Sequence, residues 1–186
     1  MTSQTHNRSR FESIWREHRH QVLAYCLRRA SSADAEDACA ETFLVVWRRI
    51  DEIPPAPQTL PCLYGIARKS LSNQTRAFHR RGRLQAKLTN LGMAPAADPM
   101  LVVVQRADDK VVTDAVRRLR PVDREIVMLD VWEDLSRAEI ATVMGMTRAA
   151  VDQRIHRAYQ KLSRALEPVL EISSLNSPPI AEEGVT

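Results

Sequence analysis

The chain has little of what β-structure and tight turns require. Only 5 of its 186 residues are glycine, and strand-like alternation of apolar and polar residues is nearly absent. Apolar residues instead recur every three or four positions, which is the spacing of one helix face. The sequence therefore predicts an all-α protein with one medium domain or two small ones.

Cysteines and long apolar runs are also scarce. The three cysteines are Cys26, Cys39 and Cys62. Their odd number and the lack of a C-x-x-C spacing favour reduced thiols in a cytoplasmic protein. A zinc or redox site joining Cys26 to His18 or His20 has no motif behind it, so neither a metal nor another cofactor is expected. The polar N-terminus is not a signal peptide, and no apolar run is long enough for membrane insertion.

Charge is distributed unevenly along the chain. The net charge of +4 and the pI of about 9.2 permit a nucleic-acid partner. Residues 68–87 contain seven Lys or Arg and no acid, whereas residues 34–41 contain four acids and no base. The basic segment suits contact with phosphates. The acidic segment suits a basic protein partner, although carboxylates are also common at the start of any helix.

Helical spacing and loop residues divide the chain into two blocks. We expect helices over residues 11–30, 34–50 and 60–79, with Asp34 as the N-cap of the second. Gly82 begins a stretch of linker composition. The predicted divisions are a disordered N-terminus (1–10), a first domain (11–82), a flexible linker (83–100), a second domain of four helices (101–168) and a disordered tail (169–186).

Residues 136–162 hold the most informative pattern. Ser136 and Glu139 have the spacing of a capping box, Gly145 suits a left-handed helix end, and Thr147 can cap the helix that follows. That second helix is basic, and its apolar stripe comprises Val151, Ile155, Ala158 and Leu162. The ordered combination predicts a helix-turn-helix that places its second helix in a DNA major groove. The alternative is an ordinary helical hairpin with a solvated basic face.

Four segments carry a resemblance to a known family: residues 34–47, 63–68, 119–127 and 135–162. In this order they resemble an extracytoplasmic-function (ECF) sigma factor, the minimal group of the sigma-70 family. The resemblance implies that the first domain binds core RNA polymerase and captures the melted −10 element, while the second binds the −35 element as duplex DNA. It also implies an anti-sigma factor as a partner. The polymerase performs the chemistry, so the chain is expected not to be an enzyme.

The resemblance also implies three groups of site residues. Those for core polymerase are Asp34, Asp37, Glu41 and Leu44. Those for the −10 element are Tyr64, Arg68, Lys69, Arg76, Arg80 and Arg81. Those for the −35 element are Thr147, Arg148, Asp152, Gln153, Arg154, His156 and Arg157. Lys69 replaces a typical Asn and Asp152 replaces a typical base, so unusual promoter preferences are expected. Asp152 can accept from cytosine N4, and Gln153 can pair bidentately with adenine.

Two other function classes compete with this interpretation. A free-standing helix-turn-helix repressor or activator would leave the acidic helix and the basic first domain unexplained. A DNA-acting enzyme such as a recombinase would need a nucleophile with its base, or a cluster of metal ligands, and the sequence shows neither.

Overall fold

A computed structural model of the chain describes the backbone of residues 2–89 and 107–175, and the side chains of residues 4–76 and 111–167. Every regular element in these segments is helical, as the sequence predicts. The helices are α1 (Thr2–Leu27), α2 (Ser32–Arg48), α3 (Thr59–Thr89), α4 (Ala107–Arg117), α5 (Pro121–Val131), α6 (Arg137–Met144) and α7 (Arg148–Leu175), with a 3-10 helix at Ile50–Glu52.

Three helix ends differ from the prediction. α1 begins at Thr2, so residues 2–10 are helical rather than disordered, and this polar stretch contains no Gly or Pro to stop the helix. α3 passes through Gly82 to Thr89. One glycine costs a helix only about 1 kcal/mol, and the surrounding Arg, Leu, Gln and Lys are good helix formers. α7 extends to Leu175. The rest of the predicted linker and tail, residues 90–106 and 176–186, lies outside the described residues.

The N-cap of α2 also differs from the prediction. Ser31, not Asp34, is the cap, because the Ser31 hydroxyl accepts a hydrogen bond from the Asp34 backbone N–H at 3.3 Å. The Ser31 hydroxyl in turn donates to Oδ2 of Asp34 at 2.6 Å. Asp34 therefore lies in the first turn, where its negative charge meets the positive end of the helix dipole.

Helices α1, α2 and α3 pack into the first bundle. Its fully buried side chains include Val22, Ala38, Val46 and Leu63. Four aromatic rings pack edge-to-face between α1 and α2, with centroids 4.5 Å apart for Trp15 and Phe43 and 5.2 Å apart for Phe11 and Trp47. Phe43 is buried, as expected for a core residue. Trp47, for which the sequence favours a core position, is 47% exposed.

Helices α4 to α7 form a second bundle that packs against the first. Pro121 is the first residue of α5, as predicted, where its missing N–H costs nothing. The predicted stripe of α7, Val151, Ile155, Ala158 and Leu162, is buried. Helix α6 lies on α3, and buried residues of both bundles join in one apolar cluster. The helix-turn-helix is therefore in direct contact with the first bundle.

Candidate nucleic-acid and protein-binding surfaces

The turn between α6 and α7 has the geometry that the sequence predicts. The Ser136 hydroxyl accepts from the Glu139 N–H at 3.4 Å, and the Glu139 carboxylate accepts from the Ser136 N–H at 2.8 Å. Gly145 ends α6 in the left-handed region, with φ of 65°. The Thr147 hydroxyl then accepts from the Ala150 N–H at 3.2 Å, which caps α7. Local hydrogen bonds thus fix the direction in which α7 leaves α6.

The exposed side chains near the start of α7 include those of Asp152, Gln153, His156 and Arg157. The Arg157 Nε donates to the Gln153 carbonyl at 3.2 Å, so the arginine lies along its own helix. The His156 ring lies 3.0 Å from the amide nitrogen of Gln160. Since Val151 and Ile155 hold the opposite side of the helix in the core, this face points away from the bundle.

The carboxylate of Asp152 has two arginine neighbours. Its Oδ1 lies 3.9 Å from the Nε of Arg137, and its Oδ2 lies 3.9 Å from the Nε of Arg148. The side chain is 50% exposed, so the contacts are solvated and each contributes little energy. The positive charges of Arg137 and Arg148 nevertheless offset part of the repulsion that the Asp152 carboxylate would exert on DNA phosphates.

Arg154 is oriented differently from the other predicted DNA-contacting residues of α7. Its Nη1 lies 2.8 Å from Oδ1 of Asp123, at the start of α5. A second hydrogen bond joins α7 to the end of α5, where the Tyr159 hydroxyl donates to Asp130. Burial, and then the bond to Asp130, raise the pKa of Tyr159 to about 12. Arg154 therefore helps to fix α7 on its bundle.

The predicted −10 residues divide between two sides of α3. Tyr64 is only 3% exposed and stacks on Tyr25, with centroids 4.8 Å apart. Burial, and then the charge of Glu133, raise the pKa of Tyr64. Arg68 is half-buried in a groove of about 310 Å³ that Pro121 of the second bundle also lines. This side of α3 is covered by the helix-turn-helix bundle.

The other side of α3 faces solvent. Lys69 and Arg76 are exposed and lie seven residues apart, so they share one helix face. The side chains of Arg80 and Arg81 lie outside the described residues. The described part of this face is basic, as the sequence predicts.

An acidic and apolar surface runs along α2. Asp37 and Glu41 are exposed one turn apart, and Leu44, the next residue on that face, is 48% exposed. Within the described side chains, neither Asp37 nor Glu41 has an ion-pair partner. The exposed edge of Trp47 continues the apolar part of this surface. Sequence reasoning missed Trp47, since an aromatic residue at helical spacing is more often core.

Neither a metal site nor a membrane segment is found in the part of the chain that the structure describes. No three His, Cys, Asp or Glu side chains there are placed to hold a metal ion. Cys26 and Cys39 are buried and Cys62 is half-buried, all as free thiols. Burial, and then the neighbouring Cys39, raise the pKa of Cys26 to about 12, which favours the neutral thiol over the nucleophilic thiolate. No described helix is both long and apolar enough to cross a membrane.

Two family models match the chain, sigma-70 region 2 over residues 14–80 and sigma-70 region 4 over residues 110–162. RNA polymerase sigma factor CarQ of Myxococcus xanthus is 30% identical over 169 residues, which is 88% of this chain and 93% of CarQ. The probable RNA polymerase sigma factor RfaY of Xanthomonas campestris is 29% identical over 130 residues, but these span 68% of this chain and only 32% of RfaY.

A solved structure has a similar fold. The sigma factor RpoE of Bartonella quintana, in its complex with the anti-sigma factor NepR, superposes with a TM-score of 0.63. The match covers 84% of this chain and 96% of RpoE at 21% identity.

Proposed function

The chain belongs to the sigma-70 family, among its ECF sigma factors, and we propose that it joins core RNA polymerase to recognise −35 duplex DNA and capture the melted −10 element. The observation that carries this proposal is the presence of both family regions in one chain, each with a solvent-exposed surface of the required charge. As a transcription initiation factor, the chain leaves the chemistry of RNA synthesis to the polymerase.

The −35 element is read by the exposed face of α7. Gln153 and Arg157 lie one turn apart, and Asp152 and His156 flank them, which suits contact with adjacent base edges in the major groove. Thr147 and Arg148 lie at the helix start, where backbone N–H groups and positive charge favour phosphate. Arg154 has a different role, because its ion pair with Asp123 directs the side chain toward α5. This ion pair holds α7 at a fixed angle on its bundle.

The −10 element is bound by α3. Lys69 and Arg76, with Arg80 and Arg81 further along the helix, supply charge for the phosphate backbone of the melted strand. Tyr64 and Arg68 offer an aromatic ring and a guanidinium that can stack with unpaired bases, once the second bundle has left that side of α3.

Core polymerase binds the acidic and apolar surface of α2. Asp37 and Glu41 supply charge, Leu44 supplies adjacent apolar area, and Asp34 adds a carboxylate at the helix start. Exposed carboxylates beside exposed apolar area suit the recognition of a basic protein partner.

Run-off transcription with purified core polymerase tests the function. We expect that adding the chain gives transcripts from promoters that core alone does not use. Replacement of Asp37 and Glu41 by Lys should weaken holoenzyme assembly. A control variant has the same change in net charge but alters two exposed acids outside the proposed surface. It carries Glu36→Lys and Asp51→Lys.

Each outcome of this comparison is informative. Equal loss of assembly in both double variants would show that net charge, not this surface, governs assembly. Palindromic DNA binding with no affinity for core polymerase would favour the free-standing regulator instead.

We further propose that an anti-sigma factor binds this chain, as NepR binds RpoE in the solved complex. The partner would compete with core polymerase for the exposed surface of α2. Affinity capture of the chain from its own cells, before and after induction, tests this. Recovery of polymerase alone under both conditions would count against an anti-sigma factor.

A further inference from the structure

Arg137, the first residue of α6, connects three helices of the second bundle. Its Nη1 donates to Oδ1 of Asp130, in the last turn of α5, at 3.0 Å. Its Nε lies 3.9 Å from Oδ1 of Asp152, on α7. A cation at the start of a helix opposes the helix dipole, so this position suits an arginine only where carboxylates lie beside it. The two aspartates supply those carboxylates.

Asp130 holds Arg137 in a fixed place. Its Oδ1 accepts from Arg137, and its Oδ2 accepts from the hydroxyl of Tyr159 on α7. Each oxygen of this carboxylate is thus bonded to a different helix. The side chain of Asp130 is 21% exposed and that of Arg137 is 34% exposed, so water only partly screens their ion pair. The orientation of the Arg137 guanidinium therefore follows the packing of α5 against α7.

The two oxygens of Asp152 face two different arginines. Oδ1 faces Arg137, and Oδ2 lies 3.9 Å from the Nε of Arg148. Arg148 belongs to the same helix as Asp152 and is 73% exposed. Among the described residues, Arg148 has no ion-pair partner besides Asp152. Only Arg137 therefore relates the direction of the Asp152 carboxylate to the rest of the bundle.

The direction of this carboxylate decides which base it can contact. A carboxylate recognises cytosine by accepting a hydrogen bond from N4, which requires one oxygen to point at that atom in the major groove. Neighbouring base pairs are only about 3.4 Å apart along the helix axis. A rotation about the side-chain bonds of an unrestrained aspartate would therefore bring its oxygens near a different base or a phosphate.

We propose that Arg137 is a positioning residue for −35 recognition, which holds the Asp152 carboxylate toward one base and so strengthens the preference for cytosine there. This inference rests on the proposed function, in which Asp152 contacts the −35 bases. Arg137 acts through Asp152 and not on the DNA itself. A guanidinium is suited to this role because Nη1 and Nε can hold two carboxylates in fixed directions, whereas the ammonium of lysine is a single point charge on a flexible stem.

Selection from a randomised −35 library tests this role, with holoenzyme assembled from the full chain and core polymerase. Arg137→Gln removes both the charge and the bridge between the aspartates, while Arg137→Lys keeps the charge and removes the bridge. The matched control is Arg118→Gln, which removes an exposed positive charge of the second bundle outside α6 and α7. Circular dichroism and thermal unfolding establish that each variant remains folded.

We expect both Arg137 variants to lower the preference for cytosine at one position by about two- to fivefold, which is the range for a partly exposed ion pair. Asp152→Ala should relax the same position. Arg118→Gln should select the same sequences as the unmodified chain.

A double variant separates positioning from direct DNA contact. If Arg137 acts through Asp152, adding Arg137→Gln to Asp152→Ala should not change the selected sequences any further. A merely structural arginine, or one that contacts the DNA itself, would produce an additional change in the absence of the carboxylate.

Each other outcome would overturn the proposal. An unmodified preference in both Arg137 variants would show that Asp152 needs no support. Relaxation by Arg137→Gln alone would show that charge, and not the bridge, is responsible. A further change in the double variant would show that Arg137 acts independently of Asp152. Failure of the proposed function has a different signature, because the unmodified chain would then enrich no −35 sequence, and the positioning role would fall with it.

Discussion

Replacing Gln153 with Ala should broaden base preference in the −35 element without unfolding the recognition helix. The Gln153 side chain is exposed, and the hydrogen bond from Arg157 goes to its backbone carbonyl, which alanine retains. Gln and Ala also have similar helix propensities, so the free energy of unfolding should change by less than about 0.5 kcal/mol. Any larger change in DNA affinity therefore reports a lost base contact.

The magnitude follows from the kind of contact proposed. A bidentate amide–adenine pair contributes about 1–3 kcal/mol of discrimination, which is roughly 5- to 150-fold in affinity for the preferred base. Arg148→Ala gives the contrasting result. That side chain is 73% exposed, and its pairing with Asp152 at 3.9 Å contributes only about 0.3–0.5 kcal/mol to the helix. Losing one phosphate contact should weaken all sequences evenly and reduce the salt slope by about 0.9.

Selection from a randomised −35 library, with holoenzyme assembled on each variant, measures the base preference. Fluorescence anisotropy at several salt concentrations measures the slope. We expect Gln153→Ala to relax one position with an unchanged slope, and Arg148→Ala to do the reverse. Identical preferred sequences for the unmodified chain, Gln153→Ala and Asp152→Ala would refute direct reading by these two residues and would favour recognition by DNA shape.

Three further predictions concern stability. Gly145→Ala should cost about 1–2 kcal/mol in urea unfolding, because a Cβ there meets nothing within 4 Å and only the left-handed backbone is penalised; Gly145→Asn should cost less. Burial favours the neutral Cys26 thiol, so its contribution to the free energy of unfolding should be fully present below about pH 9 and should fall as the pH rises toward 12. Cys26→Ala should flatten this dependence of stability on pH. Arg154→Ala should lower stability by about 1–2 kcal/mol, through loss of the Asp123 pair, while leaving the salt slope of DNA binding unchanged.

Local patterns in the sequence predicted the helix-turn-helix well. Three local features define it: the capping box at Ser136, the left-handed glycine at position 145 and the cap at Thr147. Each of them joins residues no more than four positions apart in the sequence. Such bonds form wherever the local backbone allows them, so spacing alone is informative. Helix ends without a cap or breaker were predicted poorly, as at Thr2 and in the continuation of α3 beyond Gly82.

The exposure of single side chains was harder to predict. The spacing of α2 places both Phe43 and Trp47 near its apolar side, yet only Phe43 is buried. Helical periodicity gives the direction of a side chain but not where the neighbouring helix ends. Likewise, Arg154 belongs to a basic run that suggests DNA contact, and only the packing of α5 against α7 brings Asp123 within 2.8 Å of it.

The contact between the bundles could not be predicted from local pattern at all. Arg29 and Glu125 are 96 positions apart, and either residue alone reads as an ordinary exposed charge on a helix. Their burial depends on the packing of the second bundle against the first, which brings Glu125 of α5 and Glu133, just after α5, next to Arg29, just after α1. Buried ion pairs contribute little net stability but penalise every arrangement that leaves one of the charges buried and unpaired. The two small bundles can therefore have one defined arrangement, although residues far apart in the sequence determine it.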